Sequence, residues 1–402
     1  MINNGLTTTG DVLSVFDERA TDGLLTADEL EVRTAVREIC RRDVAPRAAQ
    51  ADAEDVFVAD SYRALARAGL GGVSFARDLG GRGSSTVAYG VAMEEIAAVC
   101  GATSLVYMTQ THAAYPITLS ASEELRARLV PPLLGGRTFG SMAISEPEAG
   151  SDAASMRTTA RRDGDHYVLN GSKTFITTGN HADVIVVFAT VDPLAGHRGV
   201  TAFVVETPVE GLVAGRPFEK MGMHGSPTAE LFFDDVVVPL THRLGDEGSG
   251  WPLMLRAVMK SRVSAAAQGI GLARGALTQA LVGVGQLGFT LSDVDRSRLA
   301  DFRTELVEAR LLMYATARVI DQHPDDVLPG EAGMMKIAGT DLAMRTSLFA
   351  IELLGAAGDF VDLGVERYMR DAKVTQIYDG TNEIQRLLIA RDFATRTKAV
   401  GL

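Results

Sequence analysis

The spacing of apolar residues divides the chain into three stretches of different period. From Thr26 the apolar positions Leu30, Val32, Val36 and Ile39 recur at helical spacing, with Thr26 or Asp28 able to cap the helix they predict. The residues before it, Met1 to about Leu25, are polar, Gly/Thr-rich and weakly periodic, which predicts a partly ordered lead-in. A second helix is expected at Ser61 to Ala68, ending at Gly69, then one long, mostly apolar helix from Val87 to Thr111 and another from about Ser122 to Leu134. At about Gly140 the period changes from helical to alternating. Short β-rich runs at 166–170, 173–178, 184–190, 199–206 and 230–238 are punctuated by Asn170-Gly171, Gly179-Asn180 and Gly211, and Pro239 closes the series. Regularly spaced short strands of this kind predict a small antiparallel barrel or sandwich. From Gly250 the helical period returns, with helices at Trp251 to Val284, Asp293 to Gln322 and Gly330 to Leu354, the last stopped by Gly355. The expected fold is mainly α with a central β domain: a lead-in (1–25), an N-terminal helical domain (26–138), a middle β domain (139–242) and a C-terminal four-helix bundle (243–402).

One break in the last stretch differs from the others. Between Tyr368 and Arg391 the helical pattern is interrupted at Asp379-Gly380, and Asn382 with Gln385 three residues on can cap the helix that resumes, carrying Ile384, Leu387 and Leu388 on one face. The break brings together a carboxylate, a glycine that allows close approach to the backbone, and unpaired N–H groups at a helix start. The same features suit an ordinary turn residue.

Composition narrows the function classes. With 402 residues, 46% hydrophobic and 22% charged, the chain is globular. Its formal net charge of -12 argues against a nucleic-acid or anionic-membrane partner, because phosphate binding needs a basic face. Cys40 and Cys100 lack metal-ligand spacing and read as reduced core thiols, so no metal is expected. No apolar run approaches membrane-spanning length, and the acidic start (Asp11, Asp17, Glu18, Asp22) resembles neither a secretory nor a transit peptide, which predicts a cytoplasmic protein. Gly269, Gly271 and Gly275 sit mid-helix with no strand before them, so they read as close helix packing rather than a nucleotide loop. His112 stands alone and is expected to be a satisfied structural histidine.

Four stretches, in order, resemble the acyl-CoA dehydrogenase flavoprotein family. They are Ala-Ile-Ser-Glu-Pro-Glu-Ala-Gly-Ser-Asp (143–152), Gly-Ser-Lys-Thr-Phe-Ile-Thr-Thr-Gly (171–179), Met-Gly-Met-His-Gly-Ser-Pro-Thr (221–228) and the Tyr378-Asp379-Gly380-Thr381 motif. The resemblance implies FAD, lined by Met142, Ile144, Ser145, Gly150 and Ser151, by Phe175, Ile176 and Thr177, by Thr381, Asn382 and Glu383, and across a dimer by Gly355. It implies α,β-dehydrogenation of an acyl thioester, with Asp379 as the base that removes the α proton, Ser151, Arg262 and Gly380 at the substrate, and electrons passed to an electron-transfer flavoprotein from a homodimer or homotetramer.

The chain departs from the family pattern at several points. Aspartate replaces the usual glutamate of the Tyr-x-Gly-Thr motif, shortening the reach by roughly 1.5 Å. Ser261 occupies the position, before Arg262, where some members carry the base, and Met259 stands where an acidic residue often helps bind CoA. The Arg-x-x-Phe-Gly element is missing from 284–295, and Glu352 replaces a glutamine in the segment ending at Gly358. A carrier-protein-tethered acyl substrate fits the Met259 departure, a nitroalkane-oxidase-like reaction fits an aspartate base, and an FAD-binding oligomer without chemistry is the non-enzymatic alternative.

Overall fold

The computed structural model describes residues 13–399. The lead-in expected to be partly ordered carries local structure in its described part. A 3-10 turn at Leu13–Phe16 and a single helical turn, α1 (Arg19–Asp22), place Phe16 and Leu25 in the helical core. The rest of that lead-in, residues 1–12, lies outside the described residues.

Thr26 caps α2 (Ala27–Ile39) in a reciprocal box, its hydroxyl accepting from Glu29 N at 3.3 Å while the Glu29 carboxylate accepts from Thr26 N at 2.8 Å. The chain continues through one π-helical turn (Cys40–Val44) into α3 (Ala45–Glu54) and α4 (Ala59–Arg67). The single helix expected over 87–111 is two, α5 (Thr86–Ala97) and α6 (Gly101–Ser120), and α7 (Glu123–Leu134) follows with Ser122 as its cap. The break falls at Ala98–Cys100, where the Cys100 thiol accepts from Thr103 N and caps α6. An all-apolar junction carried no punctuation for the sequence pattern to register.

The middle of the chain forms one eight-stranded sheet: β1 (Gly140–Ala143), β2 (Thr159–Asp163), β3 (His166–Thr177), β4 (Val184–Thr190), β5 (Val200–Glu206), β6 (Leu212–Ala214), β7 (Thr228–Pro239) and β8 (Arg243–Leu244). The strand order is β6-β7-β3-β2-β4-β5-β8, and β1 pairs with β4. Most pairs are antiparallel, as expected, but β1 and β2 each join β4 in parallel. Every residue of β4 is buried because it is covered on both faces: Ile185 and Val187 point into the sheet's own core, Val186 and Phe188 into a second core with Ile117 of α6 and Leu133 of α7.

The C-terminal bundle is α8 (Gly250–Leu287), α9 (Asp293–Gln322), α10 (Pro329–Leu354), α11 (Glu366–Thr375) and α12 (Asn382–Ala399). Gly269 of α8 and Gly339 of α10 put the two backbones in contact: a Cβ on Gly269 would sit 2.5 Å from Gly339 C, and one on Gly339 2.4 Å from Ala266 O. Gly271 and Gly275 admit the backbone of α5 and of the Ala98 junction in the same way, so the helix-packing reading of these glycines holds.

A buried ion cluster joins the N-terminal segment to this bundle. Arg274 on α8, 1% exposed, lies 2.8 Å from the Glu95 carboxylate of α5; Arg310 on α9 holds Glu94 at 2.7 Å; and Arg37 of α2 spans Glu95 at 2.7 Å and Asp17 at 2.8 Å. Burial alone would raise the Glu95 pKa, but Arg274 and Arg37 carry it down to about 2.

Candidate active site

The break at Asp379 is a left-handed turn between α11 and α12. Asp379 has φ 56° and Gly380 φ 85°; two long side chains from different helices clamp their carbonyls, and a third holds the preceding tyrosine. Gln385 of α12 donates to Asp379 O at 3.1 Å and Gly380 O at 2.9 Å. Lys336, fully buried on α10, donates to Gly380 O at 3.1 Å and to Asn382 Oδ1 at 2.7 Å. The hydroxyl of Tyr378 donates to Gln268 Oε1 of α8, whose amide in turn donates to Ser104 Oγ of α6 at 2.7 Å.

Thr381, not Asn382, caps α12, its hydroxyl accepting from Ile384 N at 3.3 Å. Asn382 is buried instead, receiving Lys336 and donating to Thr340 Oγ1 at 3.0 Å and Asp341 Oδ1 at 2.7 Å. A tertiary partner thus overrides the local capping preference of asparagine. Glu383 points to solvent.

With its main chain held, the Asp379 side chain is left without a partner. Asp379 Oδ2 is sealed from solvent and accepts no hydrogen bond, an arrangement that costs free energy unless a ligand completes it. The same is true of Arg262 Nε and Ser261 Oγ on α8 and of His112 Nε2 on α6. Arg262 is 8% exposed, so it is not a solvated helix-face arginine; burial depresses its pKa, and the Asp379 charge opposes that. His112 is 7% exposed with an unbonded nitrogen, which corrects its reading as a satisfied structural histidine. Burial pushes its pKa down, against a smaller pull from Asp379, which keeps the ring neutral at pH 7. Burial brings Lys336 to about 8 although Asp379 and Asp341 pull the other way.

The second group of expected residues lies on the sheet. Met142 belongs to β1, and Ile144 and Ser145 follow it; Thr174 N donates to Ser145 O at 2.9 Å and Lys173 Nζ to Ile144 O at 3.0 Å, which fastens that segment to β3. The loop beyond is anchored by the buried pair of Lys173 Nζ and Glu146 Oε1 at 2.8 Å, Glu146 also accepting from Arg157 N and Thr158 N. Burial lowers the Lys173 pKa to about 8 in spite of Glu146. Gly150 and Ser151 are exposed at the tip, with no atom within 4 Å of a Cβ built on Gly150. Phe175 is 68% exposed at φ 58°, rare for a bulky residue, with its ring 5.4 Å from that of Phe218. Ile176 turns into the sheet core and offers only its main chain, while Thr177 O accepts from Ser141 Oγ at 2.7 Å.

α6 connects the two groups. Thr109 Oγ1 lies 3.3 Å from Thr178 Oγ1 at the end of β3, Gln110 accepts from Gly140 N of β1 at 2.8 Å, and His112 follows on the same helix. Gly355 joins neither group: it ends α10, nineteen residues beyond Lys336, roughly 28 Å along the helix. A carboxylate three residues before it, Glu352, is paired with Arg298 at 2.9 Å. Sequence reasoning missed Lys336 and Gln268, and placed Ser261 only as a position without a carboxylate base. The available signal for Lys336 was a single charge in an otherwise apolar helical run.

Three descriptions from one family match successive parts of the chain: acyl-CoA dehydrogenase, N-terminal domain, at residues 26–137, middle domain at 141–236, and C-terminal domain at 248–394. The chain is 39% identical to the cyclohex-1-ene-1-carbonyl-CoA dehydrogenase of Geobacter metallireducens over 375 residues, 91% of this chain and 98% of that one. Among solved structures it is similar to butyryl-CoA dehydrogenase from Megasphaera elsdenii, with TM-score 0.87, 31% identity and coverage of 92% and 99% of the two chains. It is also similar to a prolyl acyl carrier protein oxidase, with TM-score 0.83, 27% identity and coverage of 94% and 100%.

Proposed function

The chain belongs to the acyl-CoA dehydrogenase family, an oxidoreductase of CH–CH donors with FAD as its cofactor, and from that premise we propose that it desaturates an acyl thioester at the α and β carbons with Asp379 as the base. The observation that carries this reading is the unpartnered Asp379 Oδ2 on a turn whose main chain is clamped from α10 and α12 and whose Tyr378 hydroxyl is held by α8. A base must present a free lone pair from a fixed position, and the clamp keeps that position although aspartate is a methylene shorter than the usual glutamate.

The residues on the sheet fit FAD. Phe175 exposes its ring in a strained backbone conformation, Thr177 stands two residues on, and the bare tip at Gly150 leaves a planar ligand room. Met142, Ile144, Ser145 and Ser151, with Phe175, the Ile176 main chain and Thr177, would hold it; Thr381, Asn382 and Glu383 would meet it from the bundle. When bound, FAD supplies the acceptor for the β hydrogen and its electron pair. Asp379 Oδ2 takes the α proton, Arg262 balances the charge of that carboxylate before transfer, and Gly380 leaves the thioester room beside the turn. Because Gly355 stands so far from the turn, its contribution to the cofactor comes from a neighbouring subunit, in a homodimer or homotetramer. Electrons then leave to an electron-transfer flavoprotein.

Anaerobic titration of the flavin-loaded protein with short, branched and long acyl-CoAs tests the reading. Bleaching of the visible flavin band by one class is expected, and none by any class, with flavin bound, would overturn it. Met259 favours a second reading. It is a buried apolar side chain where the resemblance expects an acid toward CoA, which suits an acyl group tethered to a carrier protein. Bleaching by an acyl carrier protein but not by the matching acyl-CoA distinguishes the two.

A further inference from the structure

The partnered and unpartnered polar groups of α6 and α8 describe the cleft beside Asp379. At its inner level Tyr378, Gln268 and Ser104 satisfy one another, tying the Asp379 turn to both helices. At the next level the Tyr89 hydroxyl of α5 lies 2.7 Å from Ser264 Oγ of α8 and also meets Thr111 of α6. Moving from Gln268 to Ser264 goes backward along α8, and from Ser104 to Thr111 forward along α6, so the two helices run antiparallel across the cleft. Ser261, seven residues before Gln268, and His112, eight after Ser104, therefore lie at one level, roughly 10–12 Å from the inner one. With the cation Arg262, they are residues there whose side chains, more than nine-tenths buried, keep an unbonded polar atom, and theirs, Ser261 Oγ and His112 Nε2, are the uncharged ones.

An alkyl chain laid between these walls would leave both atoms unpaired, the least favourable outcome for a buried donor or acceptor. Arg262, beside Ser261, is drawn toward the Asp379 charge. A neutral imidazole and a serine hydroxyl each offer both a donor and an acceptor, the complement of a hydroxyl or an amide. Resting on the dehydrogenase reading, we propose that His112 and Ser261 are specificity-determining residues that select an acyl group bearing a neutral hydrogen-bonding substituent, a hydroxyl or amide, over a plain alkyl chain.

The test uses isosteric pairs on the flavin-loaded protein: 4-hydroxybutyryl-CoA against pentanoyl-CoA, and 5-hydroxypentanoyl-CoA against hexanoyl-CoA. In the wild type the hydroxyacyl member of the better pair reduces flavin about tenfold more efficiently, and His112→Leu brings the ratio to one or below, with Ser261→Ala giving a partial loss. Affinities of the same pairs for Asp379→Asn, measured by calorimetry, give the ratio without turnover, so absence of flavin reduction in the wild type condemns the base assignment and not this inference. A wild-type preference for the alkyl member, or a ratio that His112→Leu leaves unchanged, overturns it.

Discussion

Two buried polar regions of this molecule have the same raw materials and opposite organisation. Beneath the N-terminal segment, Arg37, Arg274 and Arg310 each lie against a carboxylate of Asp17, Glu94 or Glu95. Around the Asp379 turn the carbonyls of Asp379 and Gly380 are bonded, yet Asp379 Oδ2, Arg262 Nε, Ser261 Oγ and His112 Nε2 have no partner. In the first region even Arg274 Nε and Nη2, which make no hydrogen bond, lie 3.4 Å from Glu94 and 2.8 Å from Glu95, so folding pairs its charges, whereas the second awaits a ligand. The difference separates structural charge from working charge without reference to residue type.

Substitutions can break that separation or sharpen it. The largest effect is expected at Asp379→Asn, which keeps FAD and the unfolding midpoint but slows flavin reduction by substrate about 10³-fold, followed by anaerobic stopped-flow absorbance. Unchanged reduction in that variant would sink the base assignment. Arg274→Met should do the reverse, leaving Glu95 short of a partner and destabilising the fold by about 3–5 kcal/mol in chemical denaturation while each folded, flavin-loaded molecule reduces at the wild-type rate. Lys336→Met tests whether the clamp belongs with the working region: a fall of about 10–100-fold in reduction rate with flavin retained is expected, and loss of stability alone would assign Lys336 to the structural one.

The smallest effect is a pH dependence. Glu95 ionises at about 2 when folded and near its ordinary 4.5 when unfolded, so the folded state binds fewer protons between those values. Its contribution to stability is complete above pH 4.5 and disappears as pH falls toward 2. Glu95→Gln should flatten acid unfolding in that window, and an unaltered profile would remove Glu95 from the account.

Much of the fold was legible because local signals and tertiary structure agree. α9 occupies Asp293–Gln322 as expected, with Ser292 closing a capping box on Asp295, and the close packing of Gly269 was readable from its place in a helix. What escaped depended on distant partners. Nothing near Asp17 in sequence indicates that it will meet Arg37 under the bundle, so a polar segment gave no sign of its partner. Asn382 obeyed the local rule for a cap until Lys336 and Thr340 claimed it, and His112 was judged by the usual fate of a lone histidine rather than by its surroundings. In the site the motifs located Asp379 and the β3 residues, but not Ser104 and Gln268 of the opposing wall, because α6 and α8 meet across more than 150 residues of chain.

The backbone contact between Gly269 and Gly339 bears on how this enzyme can change. α8 and α10, which carry Arg262 and Lys336, are locked together with no room for even a methyl group, so a lineage or a mutant library exploring new substrates will find little freedom there. α6 meets α8 beside Asp379 through the side chains of Ser104 and Gln268, and those can be exchanged without moving a helix. Innovation in substrate choice should therefore accumulate in the side chains lining the wall between α6 and α8, His112 and Ser261 among them, with the glycine contact inherited unaltered.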